Sequence, residues 1–169
     1  MNRDRQQHSR DNRERREKPE FDQQIIDIAR VTRVMAGGKR MRFRACVVIG
    51  DGKGRIAMGV KKGADVTIAI NKAVEYAKKH FIRVPISKGT IPHEIKVRYC
   101  GAEILMKPTA RGRGIIAGGA LRPVFELAGI KDIVAQIMGS NGKLNNVQAA
   151  LKGLQSLKTR EYYNKIRGK

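Results

Sequence analysis

Arg40, Arg42 and Arg44 stand at alternate positions, interleaved with Met41 and Phe43 and followed by Ala45, Val47 and Ile49. A period of two is the pattern of a β-strand, so the arginines share one face and the apolar set takes the other. Side chains two apart on a strand are separated by roughly 6.5–7 Å. Guanidiniums at that spacing match a row of backbone phosphates, each able to accept two parallel hydrogen bonds. The plainer reading is a solvated sheet face, and the overall charge favours the phosphates. Lys and Arg total 36 against 15 Asp and Glu, a formal net charge of +21. Residues 1–20 contribute only +2 of it (7 − 5), so +19 (29 − 10) belongs to the remainder.

Charge of that size calls for a polyanion, either nucleic acid or an anionic membrane. A run of about 18 apolar residues, which a spanning helix needs, is missing. The cations are spread over strands and loops rather than along one amphipathic helix, which argues against a membrane surface. Nucleic acid is the expected partner, with no membrane.

Catalytic chemistry finds little to work with. Gly112-Arg113-Gly114-Ile115-Ile116-Ala117 fits GxGxxA after a strand-like segment, and Asp132 lies 20 residues past Gly112. That is the form of a dinucleotide fingerprint. Against it, Pro108 breaks the strand before the glycines, and Asp132 would start the next strand rather than end it. A phosphate-binding Walker loop fails because no Lys-Ser or Lys-Thr follows the glycines. The expected reading is a tight turn, a helix N-terminus and close packing through Gly118-Gly119. His8, His80 and His93 lack zinc-ligand spacing, and the carboxylates beyond residue 20 are not grouped for acid–base or metal work. Neither catalysis, metal nor cofactor is expected. Cys46 and Cys100 form no CxxC pair and read as reduced cytoplasmic thiols.

The elements that would position the arginines follow from local patterns. Residues 1–20 are polar and aromatic-free, with no apolar run for a signal peptide, and read as a disordered arm. Ile25 to Met35 is a β-branched strand whose alternation slips near Arg30, as at a bulge. Gly37-Gly38 then makes a hairpin into the arginine strand, and Gly50-Asp51-Gly52-Lys53-Gly54 makes the next one. Arg55 to Val60 alternates, with Ile56, Met58 and Val60 on one face. Asp65 is an N-cap for a helix whose apolar face holds Val66, Ala69, Ile70, Ala73, Val74 and Ala77. This first unit, residues 21–85, is three strands and a helix.

A second unit, residues 86–157, begins with Ile95, Val97 and Tyr99 alternating with Lys96 and Arg98. Glu103 to Met106 is the partner strand across Gly101. Leu121 to Ala128 is a helix ended by Gly129, Ile133 to Met138 is a strand, and Leu144 to Leu157 is a helix. Residues 158–169 form a basic tail. The fold class is α+β, in two small α/β domains.

These segments, in this order, resemble the bacterial small-subunit ribosomal protein five family. The matching residues in the first half are Arg30-Val31, Gly37-Gly38, Phe43, Val47 to Asp51, Gly54-Arg55, Val66, Ala69-Ile70 and Lys72-Ala73. In the second half they are Gly89-Thr90-Ile91, Gly112 to Gly119, Arg122, Glu126 to Gly129, Gly139-Ser140 and Asn145. The resemblance spans about residues 21–157. It implies a first domain like a double-stranded-RNA-binding βββα fold lacking its first helix. It also implies a second, mixed-sheet βαβα-type domain like that of a family of small-molecule kinases, with a left-handed crossover.

The implied role is a non-catalytic constituent of the small subunit in the cytoplasmic ribosome. Such a protein binds small-subunit rRNA during assembly and lies near the mRNA entry channel. It neighbours proteins three and four, contacts protein eight and affects decoding accuracy. The loop matching Val34 to Arg40 implies the neighbourhood where spectinomycin acts. Arg111-Gly112-Arg113 falls close to the implied interface with protein four. Ala36, Arg42, Arg44, Lys61, Arg111 and Arg113 depart from the family's usual residues, so part of the charge is particular to this chain.

Duplex RNA shows proteins mainly phosphates, 2′-hydroxyls and shape. The expected contacts are therefore cations on the sheet and its loops: Lys39, Arg40, Arg42, Arg44, Lys53, Arg55, Lys61 and Lys62, with Arg33, Gly37 and Gly38 at the first hairpin. With four Phe, four Tyr and no Trp, recognition by aromatic stacking is disfavoured. For Tyr162 and Tyr163, packing on a neighbour is expected over stacking on a base. The alternative role is a free-standing double-stranded-RNA-binding regulator, which leaves the second domain unexplained.

Overall fold

Three long antiparallel strands come first: β1 (Asp22–Met35), β2 (Gly38–Gly50) and β3 (Arg55–Gly63), with the two-residue β4 (Ile82–Arg83) added at the edge. The structure is a computed structural model that describes residues 21–168. The arm expected over residues 1–20 lies outside them. Only Ala36 and Gly37 link β1 to β2, with Met35 paired to Gly38. The bulge in β1 falls between Ile25 and Asp27, not near Arg30. Beyond it, alternation runs unbroken to the turn, and the polarity change at Arg30 marks where β1 leaves the core, not a slip of register.

Helix α1 (Val66–Lys78) starts at Asp65, whose side chain accepts from the Val66 N–H. Its buried stripe is Ala69, Ala73 and Ala77, packed against Ala45, Val47, Ile49 and Ala57 of the sheet. The stripe is all alanine because the helix lies very close to β3. A Cβ on Gly59 would collide with the Ala73 carbonyl.

The second sheet holds β5 (Ile95–Tyr99), β6 (Ala102–Pro108), β7 (Ile115–Ala117) and β8 (Ile133–Ile137), in the order β5-β6-β8-β7. β7 and β8 run parallel, joined through helix α2 (Arg122–Ala128). Helix α3 (Lys143–Ser156) covers this sheet. Beyond it, the basic tail contains one more helix, α4 (Arg160–Ile166). The signals for it are Thr159, which accepts from the Tyr162 N–H as N-cap, Glu161 in the first turn and Lys165 in the last.

The two domains share a core. Val48, Ile56 and Val84 of the first join Phe125, Ala128 and Leu154 of the second in one buried cluster, with Met58 packed against it. The first sheet is thus covered on both faces near Gly50, by α1 and by the second domain. The seam is also hydrogen-bonded through the backbone. Gly52 and Gly54 donate N–H groups to the carbonyls of Leu127 and Ala128, both at 3.0 Å. A helix C-terminus leaves such carbonyls without partners in its own chain segment, so the loop of one domain caps the helix of the other. Gly129 then leaves the helix at φ 83°, and a Cβ there would strike the Gly52 carbonyl.

Candidate nucleic-acid interface

The far ends of β1 and β2 outrun everything that covers the sheet. β2 is 13 residues long, or about 40 Å at roughly 3.3 Å per residue. Residues 32–42 are all exposed, whereas Ala45 to Gly50 are all buried. A long hairpin therefore projects from a buried root.

Pairing decides which cations share a face of that hairpin, because directly opposed residues point the same way. Arg40 pairs with Arg33, Arg42 with Val31, and Arg44 with Ala29 on one side and Lys62 on the other. Arg33, Arg40, Arg42, Arg44 and Lys62 thus share one face, and all but Arg44 line a groove there with Val31 and Met35. Arg33 directly opposite Arg40 is a repulsive pair, which destabilises a sheet. Among the described residues, neither has a carboxylate within ion-pair distance, nor do Arg42 and Lys62. An anionic ligand on this face removes that repulsion.

Arg44 differs from its two companions. Its guanidinium lies 3.8 Å from Asp27, and Asp27 also takes the Lys143 ammonium of α3 at 3.2 Å. Arg44 therefore helps to fasten the hairpin root to the second domain. Next along the same face is Cys46, buried, with its thiol pushed up to about 12 by burial and then by the Asp27 charge, against the opposing pull of Arg44. It stays a neutral thiol at any physiological pH. Both cysteines are free.

The other expected contacts are dispersed. Gly37, Gly38 and Lys39 form the exposed tip, with Lys39 opposite Val34 on the other face of the hairpin. Lys61 pairs with Ala45 on the α1 side, where its ammonium sits 4.0 Å from the centre of the Tyr76 ring. Lys53 and Arg55 are at the opposite end of the sheet, in or beside the Gly50–Gly54 loop. Burial of the Asp51 carboxyl works against ionisation there. The Arg55 side chain at 2.7 Å and the N–H groups of Lys53 and Arg55 nevertheless hold it below its usual range. Arg55 also lies 5.7 Å from the Phe21 ring centre, so much of its charge is used inside the protein.

Arg111, Gly112 and Arg113 occupy an exposed turn between β6 and β7. Gly112 and Gly114 have φ of 86° and 75°, and the Gly114 N–H donates to Asp132 Oδ1 at 2.8 Å. The glycines make a tight turn, as the sequence predicts, but no helix starts directly from it. The glycines open strand β7, and α2 begins only after Gly118-Gly119. The strand–turn–helix geometry of a dinucleotide fingerprint is therefore absent, and Asp132, 7% exposed, is a buried turn clamp. His80 and His93 bond to the carbonyls of Tyr76 and Glu94. Among the described residues, no group of three or more His, Cys, Asp or Glu could hold a metal ion, and no helix is long and apolar enough to cross a membrane.

Two features of the interface went unread in the sequence. One is the pairing of Arg33 with Arg40, which a two-residue hairpin link centred on Gly37 would have fixed by register. The other is the tether of Arg44 through Asp27, which depends on Lys143, 116 residues away from Asp27, and has no local signal.

A four-stranded sheet backed by one helix, bearing an exposed cationic hairpin and sharing its core with a mixed-sheet domain, is the build of an RNA-binding protein. Two family models match the chain, "Ribosomal protein S5, N-terminal domain" over residues 21–85 and "Ribosomal protein S5, C-terminal domain" over residues 97–167. The chain belongs to the ribosomal protein S5 family. It is a structural, rRNA-binding protein of the small ribosomal subunit, acting in translation as part of a ribonucleoprotein; the family is structural rather than enzymatic.

Proposed function

We propose that the protein holds small-subunit rRNA on the face of the β1–β2 hairpin formed by Arg33, Arg40, Arg42 and Lys62, with Arg44 at its root. The observation that carries this is the opposed Arg33–Arg40 pair, exposed and, among the described residues, without a carboxylate within ion-pair distance. Phosphates on a rigid row of guanidiniums supply position and affinity rather than base specificity. Gly37, Gly38 and Lys39 extend the contact at the tip. Lys53, Arg55 and Lys61 would meet RNA on other surfaces, with less free charge to offer.

In this reading the protein works in the cytoplasmic ribosome, supports subunit assembly and borders the mRNA entry channel. The exposed turn Arg111-Gly112-Arg113 faces protein four, and the protein also contacts protein eight. The family match supports small-subunit rRNA and proteins as partners, and an influence on decoding accuracy would follow from these placements.

Sedimentation of tagged protein from lysate on a sucrose gradient, repeated at high salt, tests the assignment. Co-migration with small subunits through the high-salt wash is the expected result. Protein left at the top of the gradient would favour a free-standing double-stranded-RNA-binding regulator instead.

A further inference from the structure

A second set of cations lies far along the chain from the hairpin. Arg160, Tyr163 and Asn164 of helix α4, with Arg167 capping its end, stand at spacings i, i+3, i+4 and i+7, which is one helical face. That stripe is normally apolar and turned to a core. Here it lines an open cleft, together with His93 and Lys158. Among the described residues, no carboxylate lines the cleft. Among the described residues, Lys158, Arg160 and Arg167 have none within ion-pair distance.

The way α4 is held makes the cleft a built feature. The helix buries none of its own residues, and a helix this short is marginal by itself. It is fixed from below instead. His93 Nδ1 donates to the Glu94 carbonyl at 2.8 Å, and Nε2 accepts the Lys158 N–H at 3.3 Å. Both ring nitrogens are thereby occupied, and the residue before the Thr159 cap is tied to the segment leading into β5. The two tyrosines divide. Tyr162 takes the Lys158 ammonium 4.7 Å from its ring centre. Tyr163 turns to the cleft and remains 43% exposed.

We propose that this cleft is a second nucleic-acid site, taking a single strand of rRNA, with phosphates on Arg160, Arg167 and Lys158 and one base stacked on Tyr163. A cation row without carboxylates suits phosphodiesters. An exposed ring beside that row is the platform that single strands use and duplexes do not. The proposal rests on the protein being an rRNA binder, but it shares no residue with the hairpin.

Salt titration of full-length protein binding to transcribed small-subunit rRNA tests it. Arg160→Ala with Arg167→Ala is expected to lower the log–log salt slope by about 1.5 units, at roughly 0.7–0.9 per phosphate contact. Alanine favours helix, so the loss would not come from melting α4. Added to Arg40→Ala with Arg42→Ala, the two losses should sum. Tyr163→Ala should weaken binding by about fivefold or more with the slope unchanged, and Tyr163→Phe should restore it. A wild-type slope and affinity in the Arg160/Arg167 variant would overturn the proposal, whatever the hairpin variant does. So would an unchanged rRNA slope with loss of binding to a neighbouring small-subunit protein, because the cleft would then be a protein contact. A normal slope in the hairpin variant alone would instead count against the hairpin face and leave the cleft standing.

Discussion

One face of β2 changes character within a few residues. Arg40 and Arg42 are exposed, Arg44 is half-buried, and Cys46 and Val48, on the same face, are buried. The opposite face changes the same way, from exposed Met41 to buried Ala45 and Val47. Both changes occur where the covering layers stop, α1 on one side and the second domain on the other. Alternation reports which residues share a face, but only the neighbours decide whether that face is dry. A strand longer than its cover has an anchored part and a reaching part. The anchored part gives the reaching part the rigidity that holds several guanidiniums at phosphate spacing.

The sharpest way to break this comparison is at the root. Phe125 is fully buried in the cluster shared by both domains, so Phe125→Ala should destabilise by about 3–5 kcal/mol. Urea unfolding followed by far-UV circular dichroism and by a probe on the first sheet should show one transition for both. Two separated transitions would mean that the domains are only loosely joined and the hairpin root is not anchored by the second.

The reaching part should respond in the opposite sense. Arg40→Ala with Arg42→Ala should leave stability within about 0.5 kcal/mol of wild type, while rRNA binding loses about 1.5 units of salt slope. A large loss of stability would place the pair in the anchored part. Arg44→Ala lies between the two, since its half-buried but long, 3.8 Å ion pair is worth about 1 kcal/mol. A double-mutant cycle with Asp27→Ala would measure how much of that is the tether.

Thiol labelling reads the boundary directly. Cys100 is exposed and Cys46 buried, so at pH 8 a thiol reagent should modify Cys100 at once and Cys46 only on unfolding. Because folding raises the Cys46 pKa from 9.0 to about 12, this group's contribution to stability is full below pH 9. It is lost as pH rises from there through about 12. Rapid labelling of Cys46 in the native state would show that the hairpin root opens.

The smallest effect is expected at the far loop. Asp51 has its carboxyl held low in the folded state, so it stabilises above the ordinary carboxylate range and loses that contribution as pH falls through the depressed folded value. Asp51→Asn should flatten the acid limb of the stability curve without changing the salt slope of RNA binding. A changed slope would return Lys53 and Arg55 to the RNA footprint.

Much of the fold was legible because local signals and packing agree. Asp65 caps α1, Gly129 ends α2 in the left-handed conformation, and the alternation at Arg40 to Ile49 is a strand. What was not legible depends on residues distant in sequence. The bulge in β1 lies at the root, and the polar change at Arg30 looks the same whether a strand slips or leaves its cover. The glycines at 112 and 114 match a helix-opening motif, yet they open β7, because Asp132 holds the Gly114 N–H. The arginine row was visible, but the division between free Arg40 and Arg42 and tethered Arg44 required Lys143 of α3.

The backbone bonds from Gly52 and Gly54 to Leu127 and Ala128 also set an order of events during synthesis. Gly54 leaves the translating ribosome 74 residues before Ala128 (128 − 54). At roughly 5–20 residues per second that is about 4–15 s. For that interval Val48, Ile56 and Met58 have no second domain to cover them, and the newborn sheet presents an apolar face beside a strongly cationic hairpin. A nascent chain in that state is most vulnerable to aggregation and to premature capture of nucleic acid, and arrival of α2 closes the window.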